Sequence, residues 1–434
     1  MLLEFTVGNF MSFKNAKTLN MLASAIREHK DTNVFKIEFP QALRSRDIDL
    51  LKSSVIYGAN ASGKSNLIKA ILFMKNFVLN LSRTMQASDK IPVERFLLSS
   101  EKDKDPSFFE IIFIHQGVRY RYGFEVDQIS VVNEWLFYAP KGKEAKLFIR
   151  EGNNLELGPN FKEGKGLYGK TRKNALFLSV TAQFNGEISI NILKWFKQKL
   201  RIISGLDDKK YADFTFKKII DEKGRNEILK FLAIADLGIS DIKLIPYDLD
   251  KVPEKIKEKF FESLKAQKKD ANSAEIKRVF RLVSFHDRYD KENIKLETIP
   301  FEFGVESEGT KKLFSLAGLV THALIEGDTL IVDELDSRLH PMMTRFLIEL
   351  FNSNETNRAN AQLIFVTHDT NLLTNRIFRR DQIWFTEKDR YGATDLYSLV
   401  DYKVRADASF SKDYILGKYG AIPFLGDPRD LLGK

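Results

Sequence analysis

The chain has 434 residues, 43% of them apolar and 29% charged, the composition of a globular protein long enough for one large domain carrying an insertion. It contains no cysteine, which excludes disulfides, thiolate metal sites and a Cys nucleophile, and its formal net charge is +9. No segment reaches the roughly 18 to 20 apolar residues of a membrane span, and the opening MLLEFTVGNF lacks the basic start and apolar stretch of a signal peptide, so a cytoplasmic protein is expected.

In chain order, LLEFTVGNFMSFKNAKTLNM alternates apolar residues around Gly8-Asn9 and Lys14-Asn15, a strand–turn–strand pattern. Leu50 to Gly58 is a buried-strand pattern ending in glycine, and KSNLIKAILFMKNFVLNL then repeats apolar residues at helical spacing. From about Phe96 to Ile149 the pattern is β, with hairpins expected around Gln116-Gly117 and around Pro140-Lys141-Gly142. NILKWFKQKLRIIS, NEILKFLAIADLG and PEKIKEKFFESLKAQKK are expected as amphipathic helices. IKLETIPFEFG, DTLIVDEL and AQLIFVTHD are expected as strands.

The expectation is an α/β fold whose core is split by a β-rich piece and a helical piece. The pieces are an N-terminal lobe over 1–190, a helical insertion over 191–295 and a C-terminal lobe over 296–434. Residues 191–290 hold 23 Lys or Arg against 17 Asp or Glu. That excess fits a nucleic-acid surface, which gains affinity by counterion release, but an excess this modest fits a solvated Lys-rich face better; charge alone does not establish nucleic-acid binding.

Residues Gly58 to Asn66, GANASGKSN, carry G-x-x-x-x-G-K-S between an expected strand and an expected helix, the context this phosphate loop needs. Gly58 and Gly63 let backbone amides converge on phosphate oxygens beside Asn60 and Asn66. Lys64 reaches the outer phosphates, and Ser65 offers a hydroxyl to Mg²⁺. The helix that starts there adds its positive end. A nucleoside triphosphate is the expected ligand.

TLIVDEL then brings an apolar strand to two adjacent carboxylates. Strand side chains alternate, so Asp333 and Glu334 take separate roles only if the chain turns there. Asp333 suits the Mg²⁺ shell and Glu334 an attacking water.

These motifs, with DSRLHP from Asp336 to Pro341, FVTHD around His368 and the short loop ESEGTKK, resemble the ABC-type ATPase heads of the SMC and RecF class. Within it they resemble prokaryotic abortive-infection and anti-phage ATPases, such as the ATPase subunits of PARIS and AbiL systems and the ATPase half of OLD nucleases. The resemblance covers both ends of the chain and little of the middle.

It implies a P-loop NTPase fold with ATP and Mg²⁺ bound between two heads as a homodimer or higher homo-oligomer. Ser307, Gly309 and Thr310 would form a signature loop that reaches the partner's ATP, and Asp336 and Ser337 a D-loop. His368 would be the γ-phosphate switch, and Gln183 a Q-loop ligand of the metal with Ser65 and Asp333. Glu334, His368 and Lys64 would be the catalytic set. Taken alone, Ser307 reads sooner as a helix N-cap, Gln183 equally as a loop glutamine with a local bond, and an isolated histidine such as His368 as structural, although its place at a strand end favours the functional reading. The loop departs from transporter heads in lacking their Gly-Gln run.

Three functions follow from the resemblance. Dimerising heads could control a separate effector, a TOPRIM-type nuclease, in phage defence. They could act as a RecF-like DNA repair clamp through the basic middle. They could also form a nucleotide-gated scaffold with little turnover.

Overall fold

Apolar runs of four or five residues without alternation must bury both faces, and a parallel sheet between two layers accommodates them. In the computed structural model, described over residues 1–38, 47–140, 142–203, 209–247, 279–405, 408–423 and 426–427, Ser53–Tyr57, Thr329–Val332 and Gln362–Val366 are buried at every residue. They are the middle of a six-stranded sheet ordered Leu200–Ile203, Thr329–Val332, Gln362–Val366, Ser53–Tyr57, Ile383–Lys388, Thr394–Ser398. The first five strands are parallel and the last is antiparallel. The parallel strands therefore deliver the loops after Tyr57, Val332 and Val366 to one edge, where such sheets bind ligands.

A seven-stranded antiparallel sheet is ordered Asn154–Leu157, Ala145–Glu151, Val131–Ala139, Val118–Val126, Ser107–His115, Leu2–Gly8, Lys17–Asn20. Gln116 and Gly117 both have positive φ, 51° and 75°, as a two-residue hairpin turn requires. The helix Lys64–Asn76 buries Leu67, Ile68, Ile71 and Met74. These residues share one core with Phe109 and Phe124 of the antiparallel sheet and Ile331 and Ile364 of the parallel one.

Several expectations shift. Leu50 to Gly58 is two strands: Ile48–Leu51 pairs with Val34–Ile37 in a separate sheet, and Lys52 interrupts the run. The Lys52 side chain is buried and donates to Asn352 O at 3.1 Å. In NILKWFKQKLRIIS, α-helix Glu187–Lys194 and a π-helical turn Trp195–Lys199 end at Leu200–Ile203, the edge strand of the parallel sheet.

The chain divides into two compact units, one of Met1–Leu206 with His322–Lys434 and one of Asp207–Thr321, in place of boundaries at 190 and 295. The second unit is not only helical. With helices Lys209–Lys218 and Glu222–Ile234 it has an antiparallel sheet, Ile239–Tyr247, Val279–Tyr289 and Lys295–Glu302. The helix expected from Pro253 lies outside the described residues. No described helix is long and apolar enough to cross a membrane.

Candidate functional site

The loop between Tyr57 and Lys64 is bent in ways only glycine takes easily. Gly58 has φ +156° and Gly63 φ +113°, and a Cβ would lie 2.4 Å from Thr386 O at the first and 2.3 Å from Thr394 Oγ1 at the second. Gly63 is the N-cap and Lys64 the first residue of the following helix, so its leading amides face the loop's concave side. The Lys64 ammonium donates to Gly58 O at 2.8 Å and Ala59 O at 2.9 Å. Burial pulls its pKa down to about 8, against the opposing charges of Asp333, Glu334 and Asp336.

Ser65 Oγ donates to Asp333 Oδ1 at 3.3 Å. Burial raises the Asp333 pKa, the Ser65 hydrogen bond opposes that rise, and the neighbouring Glu334 charge adds to it. The strand ends at Val332, Asp333 N donates to Ile203 O at 2.9 Å and Leu335 N to Val366 O at 3.1 Å. Between them Glu334 takes φ +54°. The chain does turn there. Asp333 therefore meets Ser65 while Glu334 enters the wall of a cavity of about 370 Å³, lined also by residues 60–66, Val366, His368 and Lys388.

His368 follows strand Gln362–Val366, and its backbone N donates to Asp336 Oδ2 at 3.2 Å. Burial lowers the imidazole pKa and Lys64 lowers it further, against Asp336, Glu334 and Asp333, so the ring is neutral at pH 7. Asp336 thus ties the turn after Glu334 to the histidine loop, and its buried Oδ1 has no hydrogen-bond partner among the described residues. Ser337 N closes the turn on Glu334 O at 3.1 Å.

Asn60 is exposed on the cavity wall. Asn66 lines it too, and its amide donates to Ser12 Oγ at 2.7 Å.

Gln183 lies elsewhere. It ends helix Phe177–Gln183 and shares a different cavity with Lys75, Leu79 and Asn80. Lys75 is eleven residues along the helix from Lys64, about 16 Å at 1.5 Å per residue. A glutamine beside that end of the helix is not a ligand partner of Ser65 and Asp333.

Ser307, Gly309 and Thr310 belong to the second unit. Ser307 Oγ accepts from Thr310 N at 3.0 Å and lies 2.8 Å from Thr310 Oγ1, the N-cap geometry for helix Glu308–Glu326.

Among the described residues no group of three or more His, Asp or Glu is placed to hold a metal by itself. A hydroxyl and a carboxylate in contact fit Mg²⁺, which takes few protein ligands and completes its shell with phosphate oxygens and water. The sequence did not single out Lys388 on the cavity wall, nor Thr386 and Thr394 against the loop. Alternation in IWFTEK places Thr386 and Lys388 on one face, but only strand pairing shows that this face is the loop's.

A family model described as "AAA domain, putative AbiEii toxin, Type IV TA system" matches residues 53–374, which include the phosphate loop, Asp333, Glu334 and His368. No curated protein matches the chain. Among solved structures, an SMC head bound to the C-winged helix domain of ScpA aligns over 92% of this chain and 97% of its own at 13% identity, TM-score 0.44. The SMC head domain from Thermotoga maritima aligns over 92% and 98% at 12% identity, TM-score 0.39. The matched span takes in the phosphate loop, the strand that ends in Asp333-Glu334 and the histidine strand beside it, so the chain belongs to this family of AAA domains, a family of P-loop proteins described by an AbiEii-type toxin.

Proposed function

We propose that the chain is a Mg²⁺-dependent ATP hydrolase whose heads pair around ATP, and whose pairing controls a separately encoded effector, a TOPRIM-type nuclease, in anti-phage defence. The observation that carries the hydrolase reading is the turn at Glu334. It sends one carboxylate to Ser65 and the next into the cavity that Lys64 lines.

Ser65 and Asp333 would hold Mg²⁺, which when bound offsets charge on the outer phosphates. The remaining work falls to the chain. The loop amides and the helix end bind phosphate oxygens, and Lys64 exchanges its carbonyl partners for phosphate. Glu334 orients a water in line with the terminal phosphate and accepts its proton. Neutral His368 donates one ring N–H to the terminal phosphate.

Ser307 accepts from Thr310 N, and when Thr310 Oγ1 donates to it as well its own proton can turn to an anion. The first amides of a 19-residue helix follow it. Those features suit a loop that completes the ATP site of a second copy.

The defence role rests on the family, whose description names an AbiEii toxin and a type IV TA system. A second reading, a RecF-like DNA-binding protein, would use the basic residues of 191–290. That reading predicts an association with duplex DNA that weakens steeply with salt.

Replacing Glu334 with Gln tests the hydrolase. Glu334→Gln should bind ATP as the parent does, lose turnover by at least about a hundredfold, and accumulate an ATP-bound assembly in gel filtration. Turnover at the parent's rate would remove Glu334 from the mechanism.

A further inference from the structure

A hairpin lies beside the phosphate-loop strand. Strand Ile383–Lys388 runs parallel to Ser53–Tyr57 with Ile383 opposite Val55 and Phe385 opposite Tyr57. Thr386 therefore comes level with Gly58, and Lys388 reaches two residues further on the same face. Thr386 Oγ1 lies 2.7 Å from Ser62 Oγ. Thr394, which pairs with Lys388 across the hairpin, places Oγ1 2.9 Å from Ser62 O and 2.8 Å from Ser12 Oγ. Ser12, Ser62, Thr386 and Thr394 are all buried. This hydroxyl network fastens the loop to the hairpin and delivers Lys388 to the cavity wall.

The sheet order fixes the side from which Lys388 approaches. The strands carrying Glu334 and His368 lie on one flank of the phosphate-loop strand, and the hairpin lies on the other. Neighbouring strands are about 4.8 Å apart, so the cavity has its hydrolytic groups on one side and Lys388 on the opposite side. Among the described residues Lys388 has no ion pair. The adjacent Asp389 carboxylate is taken by the turn, accepting from Tyr391 N at 2.8 Å and Ala393 N at 2.9 Å. A triphosphate whose terminal group faces Ser65 and Glu334 turns its inner end toward Lys388.

We propose that Lys388 is a nucleotide-binding residue, a cation for the α-phosphate, carried on a hairpin that Thr386 and Thr394 lock to the phosphate loop. The proposal rests on the ATP-site reading above and adds a contact common to ATP and ADP. Lys388 then contributes affinity without contributing preference for the triphosphate.

Calorimetric titration of the full-length parent, Lys388→Met and Lys388→Arg with ATP and with ADP tests this. Lys388→Met should weaken both nucleotides by about tenfold, the scale of one charge-assisted contact, with the ATP-to-ADP ratio unchanged. Lys388→Arg should recover most of the loss for both, and thermal melting without nucleotide should stay at the parent's value. Unchanged binding of both nucleotides by Lys388→Met, or a loss confined to ATP, overturns the proposal while leaving the ATP site intact. A parent that binds neither nucleotide would instead sink the ATP-site reading itself.

Discussion

Lys64 is buried beside three carboxylates and held near pKa 8, so the protein keeps its ammonium only just charged at neutral pH. Below about 8 the group arrives at the phosphates already protonated; above it, binding must first take up a proton. ATP affinity should therefore fall as pH rises through about 8, with proton uptake above it visible when titrations in two buffers of different ionisation enthalpy are compared. Affinity that stays flat up to the ordinary lysine range of 10.5 would contradict this.

The sign for folding is opposite. Between about 8 and 10.5 the unfolded chain holds the proton and the native site does not, so stability from this group rises with pH across that window. Lys52 and Lys75, lowered by burial in the same way, add to the stability trend. Neither lines the cavity, so neither contributes to the fall in affinity.

The placement of Lys64, Ser65, Asp333 and Glu334 around one cavity was legible because their spacing is local. G-x-x-x-x-G-K-S fixes Lys64 and Ser65 on one helix start, and Asp333-Glu334 ends an apolar run. Gln183 was not legible. Its neighbours are set by how the chain returns from the antiparallel sheet, which no local spacing encodes.

At the scale of elements, the phosphate loop is held from both ends and from the side. Its strand is central in the sheet, its helix shares a core with both sheets, and Thr386 and Thr394 press on it from the hairpin. Gly63→Ala puts a Cβ at φ +113° and against Thr394. It should cost about 1–3 kcal/mol in denaturant unfolding and abolish ATP binding, because relieving the strain opens the loop. An alanine variant with parental stability and affinity would mean that the hairpin does not constrain the loop.

Elements with a single strong period were readable: the hairpin at Gln116-Gly117, the helix after Lys64, and the strands ending at Val332 and Val366. Those sharing two patterns were not. LRII continues the helical spacing of the residues before it, yet becomes the sheet edge because Thr329–Val332 offers it a partner. ISDIKLIPY and VFRLVSFHDRY form strands of the second unit that only pairing with each other makes evident.

At the scale of the whole molecule, the cavity is built from one compact unit and Ser307 belongs to the other. Under the proposed pairing, the serine serves the ATP of a second copy. In a two-fold pair each ATP then draws its phosphate loop from one protomer and its signature loop from the other. Lys64→Ala should be inactive through its own loop. Ser307→Gly should be inactive through its partner's site, while costing the helix cap only a few tenths of a kcal/mol.

Mixing these two variants tests this most directly. One site in each mixed pair regains both intact parts, so an equimolar blend should recover up to about a quarter of parental ATP hydrolysis from two inactive preparations. A blend that stays inactive, while monomeric parent protein hydrolyses ATP at its full rate, would contradict a site shared between two chains.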